Sequence, residues 1–134
     1  MGLKKLLLLL CVCCGIQPLL AQTIPPLQNF SPQTYGAQNQ NWSITQTADK
    51  TIYAANNLGL LEYNGAKWRI YPTPNSSIMR SVFVFNSRIY SGCYMEFGFW
   101  EANTLGELEY TSLSATMGID LIQDEQFWNI IGHD

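Results

Sequence analysis

Nucleophilic, acid–base or metal chemistry in this chain would have to come from four cysteines, one histidine and ten carboxylates spread over 134 residues. Cys11, Cys13 and Cys14 are close enough to suggest thiolate ligands, but the run around them is apolar and brings no histidine, so it lacks a zinc-binding ligand set. His133 stands one residue from the last position and has no second imidazole to join it; a turn residue is expected there. Asp120, Asp124 and Glu125 carry oxygen ligands of the kind a hard cation prefers, yet they lack the alternating spacing of a calcium loop and read as a solvated loop. No nucleophile stands beside a base, and no pair of carboxylates is set up to share a cleft. The expectation is therefore no catalytic residue, no cofactor site, no metal site and no enzyme activity in these residues.

Aromatic side chains are the remaining candidates for binding. Trp42, Trp68, Trp100 and Trp128 could stack on sugar rings or other flat ligands. Trp42 and Trp128, however, recur at equivalent places in a repeat described below, as packing between repeated units requires. Core packing is the expected role.

The first 21 residues explain most of the cysteines. Lys4 and Lys5 precede an apolar run from Leu6 to Cys14, a breaker region from Gly15 to Pro18, and Leu19-Leu20-Ala21 before Gln22. That order is a secretory signal peptide, and the apolar core is shorter than the roughly 20 residues of a membrane-spanning helix. Cleavage is expected between Ala21 and Gln22. A lipidated cysteine would follow a small residue, whereas these follow Leu10, Val12 and Cys13. Cys93 alone then remains in the exported part and reads as a buried strand residue, with a disulfide partner to be sought only outside these residues. Without Lys4 and Lys5, five basic residues face ten acidic ones, a net charge of −5. Such a surface offers no electrostatic footprint for nucleic acid.

Beyond Asn41 the chain has short β-branched and aromatic runs separated by turn residues, so the expected class is all-β. Strands are expected at Trp42–Thr47, Ile52–Asn56, Leu60–Asn64 and Lys67–Tyr71, and again at Ser81–Phe85, Ile89–Tyr94, Phe97–Glu101 and Glu107–Ser112. Asn64-Gly65 suits a tight hairpin with positive φ at both central positions, and Gly59 suits a positive-φ turn. Ile52-Tyr53 aligns with Ile89-Tyr90, Gly59-Leu60 with Gly98-Phe99, and Ile44 with Val82, at offsets of 37, 39 and 38 residues. Phe127-Trp128-Asn129-Ile130 repeats the look of Asn41-Trp42-Ser43-Ile44. Four strands at a period near 40 are the mark of propeller blades, each too small to bury its faces alone. An open β-sandwich is the competing architecture. The expected organisation is a signal peptide at 1–21, an arm at 22–40, and an incomplete propeller at 41–134. Its blades span about 41–74 and 78–114, and a third begins near 125. Residues 27–35 are expected to supply an outer strand that closes the ring.

The stretches Ile52-Tyr53-Ala54-Ala55-Asn56-Asn57-Leu58-Gly59-Leu60-Leu61-Glu62-Tyr63-Asn64-Gly65 and Trp68-Arg69-Ile70-Tyr71 resemble the two-component regulator propeller repeat. The second unit departs from that pattern, with Glu96-Phe97-Gly98-Phe99-Trp100 in place of the usual turn. With Asn75–Ser81, Gly92–Gly98 and Asp124–Trp128, the chain is similar to the opening of flavobacterial-type sensor regulators that carry a triple-tyrosine motif. The resemblance implies an extracytoplasmic propeller on the periplasmic side of the inner membrane. It further implies one membrane span and a LuxR-type helix-turn-helix or histidine kinase output, parts that lie outside these residues. The function it implies is signal transduction: an extracytoplasmic ligand, carbohydrate among the candidates, is sensed, and the full-length protein is free to dimerise. A carbohydrate-active propeller enzyme and a protein-interaction platform are the alternatives.

Overall fold

The computed structural model describes residues 2, 25–118, 120, 121 and 123–133. Ala21, Gln22 and all of the expected leader except Gly2 lie outside the described residues. Eight strands form two separate four-stranded antiparallel sheets, each a simple meander. The first holds β1 (Asn41–Gln46), β2 (Ile52–Asn56), β3 (Gly59–Tyr63) and β4 (Trp68–Tyr71); the second holds β5 (Ser81–Phe85), β6 (Arg88–Gly92), β7 (Phe97–Ala102) and β8 (Leu108–Ser112). The chain is all-β, as its short β-branched and aromatic runs require.

Turn chemistry sets the connections. Lys50 takes φ 73° in the β1–β2 turn, where Thr47 N–H bonds the Thr51 carbonyl. The β3–β4 connection is longer than a two-residue hairpin: Asn64 N–H bonds the Lys67 carbonyl, and the Asn64 carboxamide oxygen accepts from Ala66 and Lys67 N–H. Only Gly65 takes positive φ there, because the asparagine side chain closes the loop and so replaces a second left-handed residue.

The register corrects one alignment. Leu60 stands opposite Ala55 and Phe97 opposite Gly92, so the counterpart of Gly98 is Leu61 rather than Gly59. The connection itself has not lengthened: Cys93 N–H bonds the Glu96 carbonyl where Asn56 pairs with Gly59, so the offset stays at 37 residues across it. Gly98 has its own cause: a Cβ there would collide with the Thr111 carbonyl and sit 2.5 Å from the Tyr110 hydroxyl.

Alternation of side chains sends each strand of the first sheet to two interfaces. Tyr53, Ala55 and Leu60 face the second sheet and pack with Met79, Val82, Ile89, Cys93 and Trp100. Ala54 and Leu61 face the other way, beneath Tyr35, Phe30 and Ala37, with Trp68 and Ile70 at the edge. The sheets approach most closely through β1 and β5, joined by bonds from Ser43 Oγ to the Val82 carbonyl and from Val84 N–H to Thr45 Oγ1.

Residues 27–35 do not form the expected strand. Pro32–Tyr35 is one helical turn, α1, begun by Ser31, whose hydroxyl accepts from Thr34 N–H, and ended by Gly36 at φ 69°. Proline early in the turn and a serine cap favour helix over strand. The arm is held against the first sheet by rings: Phe30 lies 5.1 Å from both Tyr63 and Trp68, and Tyr35 lies 5.6 Å from Trp68.

Candidate functional site

Three residues at equivalent points of the repeat meet beside the starts of β1 and β5; Trp42 lies at the start of β1, Arg80 immediately precedes β5, and Trp128 lies outside any strand. In β1 the register slips between Asn41 and Ser43, so Trp42 occupies a bulge, a device that re-aims a side chain. Its indole N–H donates to Asn57 Oδ1 (2.8 Å), and Asn57 Nδ2 donates to Gln38 Oε1 (2.8 Å), which locks the ring. Arg80 precedes β5 at the 38-residue offset from Trp42. Trp128 follows Phe127, whose N–H bonds the Cys93 carbonyl (3.1 Å), just as Met79 N–H bonds the Asn56 carbonyl (3.4 Å). Asn56 and Cys93 are themselves equivalent, so the chain enters at 79 and at 127 by the same contact.

The outcome is a right-angled aromatic corner. Trp42 and Trp128 have centroids 5.7 Å apart at an interplanar angle of 79°. The Arg80 guanidinium carbon lies 4.1 Å from the first ring and 4.6 Å from the second. Arg80 Nε–H donates to Gln126 Oε1 (2.9 Å), while its buried Nη1 has no hydrogen-bond partner among the described residues. Among the described residues no carboxylate pairs with Arg80, in contrast to Arg88, which meets Glu101 at 2.8 Å. A cavity of about 310 Å³ opens beside it, lined by Ser76, Ser77, Ile78, Arg80, Tyr94 and Gln126. Tyr94 O–H donates to Asp124 Oδ1 (2.6 Å), and the Tyr94 carbonyl accepts from Asn75 Nδ2 (2.8 Å), so both walls are tied down.

The core role expected for the tryptophans divides. Trp100 is buried and donates its N–H to Ser91 Oγ (2.9 Å); Trp68 packs under the arm. Trp42 and Trp128 are 40% and 50% exposed and form the corner instead. A bulge turns the one outward, and among the described residues the ring of Trp128 meets the Trp42 ring and the Arg80 guanidinium. Arg80 was not among the candidates drawn from sequence, although the Ile44–Val82 alignment already sets it at Trp42's place. Asp120 and His133 are exposed, and Asp124 serves Tyr94. Among the described residues no group of three or more His, Cys, Asp or Glu side chains is arranged to hold a metal.

Cys93 is buried, with no disulfide among the described residues. Burial, and secondarily the nearby Glu96 carboxylate, push its thiol up to about 12 from an ordinary 9. Burial likewise raises Tyr53, Tyr71 and Tyr110, and Glu96 and Glu62 add to the effect. Folded values above unfolded ones mean that the folded chain keeps protons which the unfolded chain releases. Stability from Cys93 is therefore intact below about pH 9 and declines towards about pH 12, by about 1.4 kcal/mol per pH unit. Melting curves should shift down across that window, and a thiol reagent should leave Cys93 unmodified until denaturant is added. Rapid modification in the native state would contradict the burial.

Comparison with family models, with curated proteins and with solved structures finds no match to this chain.

Proposed function

We propose that this chain is the opening of an exported β-propeller that senses a ligand outside the cytoplasm and passes the signal to a membrane-coupled output. One observation carries this reading: the repeated junction in which Met79 N–H meets the Asn56 carbonyl and Phe127 N–H meets the Cys93 carbonyl. A unit that joins its predecessor by a constant contact generates a ring or a solenoid, in which successive first strands lie side by side around one axis. The adjacency of β1 and β5 suits that arrangement. Trp42, Arg80 and Trp128 then ring the entrance to the axis, where a ligand can bias the packing of several units at once. The signalling role itself rests on the motif resemblance of Ile52–Gly65 and Trp68–Tyr71 to sensor propellers.

The test uses the full-length gene in cells with a reporter of its output. The mature protein should begin at Gln22 and fractionate with exported proteins. In-frame removal of residues 41–134 should abolish the inducible change in the reporter. A reporter that responds as before, or a protein that retains Met1 in the cytoplasm, overturns the reading. Glycan cleavage by the purified protein would favour the carbohydrate-active alternative.

A further inference from the structure

We propose that the corner formed by Trp42, Arg80 and Trp128 is a binding site for a small organic carboxylate, received on the Arg80 guanidinium; this deepens the sensor reading above and rests on it. The repeat puts indoles at two of the three equivalent positions and a cation at the third. The two ring faces supply cation–π attraction that holds a guanidinium away from bulk water. They supply no hydrogen-bond acceptor. Gln126 takes Nε–H alone, and Nη1 is left buried without an acceptor. A desolvated donor without a partner is unfavourable, the more so on a charged group, and an anion that enters as the side chains covering Nη1 shift removes that deficit.

Three features select a carboxylate. The guanidinium is a flat fork whose paired N–H groups match the two oxygens of a flat, acceptor-only anion. Among the described residues that line the cavity, Arg80 alone is charged, so the site balances a single negative charge rather than a dianion. The remaining walls are hydroxyl, amide and apolar: Ser76, Ser77, Gln126, Ile78 and the Tyr94 ring suit a small organic body behind the carboxylate. Tyr94 also carries the isolated bridge to Gln126, so a ligand seated between them touches the joint by which the third unit enters.

Benzoate is the probe, with benzamide as its neutral isostere and sulfate as a tetrahedral dianion. Each is titrated in the millimolar range into nanomolar fluorescently labelled full-length protein. Benzoate should bind, and benzamide should bind about tenfold more weakly or worse, as loss of a charge-assisted pair implies. Added salt should weaken benzoate. Arg80→Gln should reduce benzoate binding to the benzamide level, and its melting curve reports whether the variant is folded. Equal binding of benzoate and benzamide to the unaltered protein, absence of benzoate binding, or tighter binding of sulfate each overturns the proposal. The reporter experiment is independent of these titrations, so a failure here leaves the sensor reading to be judged by its own result.

Discussion

Gly59→Val should lower the melting temperature by about 15 °C or more, an effect of about 4 kcal/mol in a chain of this size. Two causes add. Gly59 holds φ 134°, a backbone region closed to side-chain-bearing residues, and β-branching makes strain there worse. In addition, its absent Cβ would lie inside the contact radius of the Tyr71 carbonyl and 3.0 Å from the Pro72 Cα. Both neighbours are backbone at the end of β4, so they cannot swing aside. Gly65 provides the control: its φ is 88°, but a Cβ there meets nothing within 4 Å. Gly65→Ala should therefore cost only about 1 kcal/mol, from the backbone alone. If valine at 59 and alanine at 65 shift the melt equally, the close approach of β3 to the end of β4 is wrong.

Asn56→Ala should release the N-terminal arm and cost about 3 kcal/mol, measured by chemical denaturation. The Asn56 side chain is fully buried at the end of β2. Its amide nitrogen donates to the Gln38 carbonyl (2.7 Å), the Gln40 carbonyl (3.1 Å) and Asn41 Oδ1 (2.8 Å). Its oxygen accepts from Gln38 N–H (3.3 Å) and Leu58 N–H (3.0 Å). One carboxamide thus ties the arm, the entry to β1 and the β2–β3 turn together. Alanine removes all five bonds at once and leaves a void where the fully buried carboxamide stood. The readout specific to this role is local: Gln38 and Leu58 amides should lose protection from hydrogen exchange, and protease should cut near 27–38. Asn56→Asp keeps the acceptor but loses the donors, so it should free Gln40 and Asn41 while retaining Leu58. Unchanged protection at Gln38 in the alanine variant would show that the rings of Phe30 and Tyr35 alone hold the arm.

How far local pattern reaches can be seen strand by strand. β2 and β5 run over the same residues in expectation and in structure, and the other strands differ by one or two at their ends. This follows from period-two alternation and from glycine and asparagine turn chemistry, which act over a few neighbouring residues and are written directly in the chain. The near-40-residue recurrence was legible for the same reason. The Gly98 pairing was not, because two glycines in similar strings look alike, and only cross-strand register distinguishes a turn glycine from one that makes room for Tyr110. Residues 27–35 carried conflicting cues. Phe30 suits a strand, but the Ser31 cap and Pro32 decided for a helical turn once the face of the first sheet was there to cover.

The sequence by itself determined the strand class, the meander order and the equivalence of Trp42 with Trp128. Tertiary structure alone decided what those indoles do. Whether these rings point into a core or out to solvent depends on a bulge between Asn41 and Ser43 and on the entry angle at Phe127. Both are set by contacts between segments 15 to 48 residues apart. Arg80 illustrates the same limit. Its charge and its place in the repeat are in the sequence, but its partnerless Nη1 becomes visible only when two distant indoles close a corner around it and, among the described residues, no carboxylate arrives to meet it.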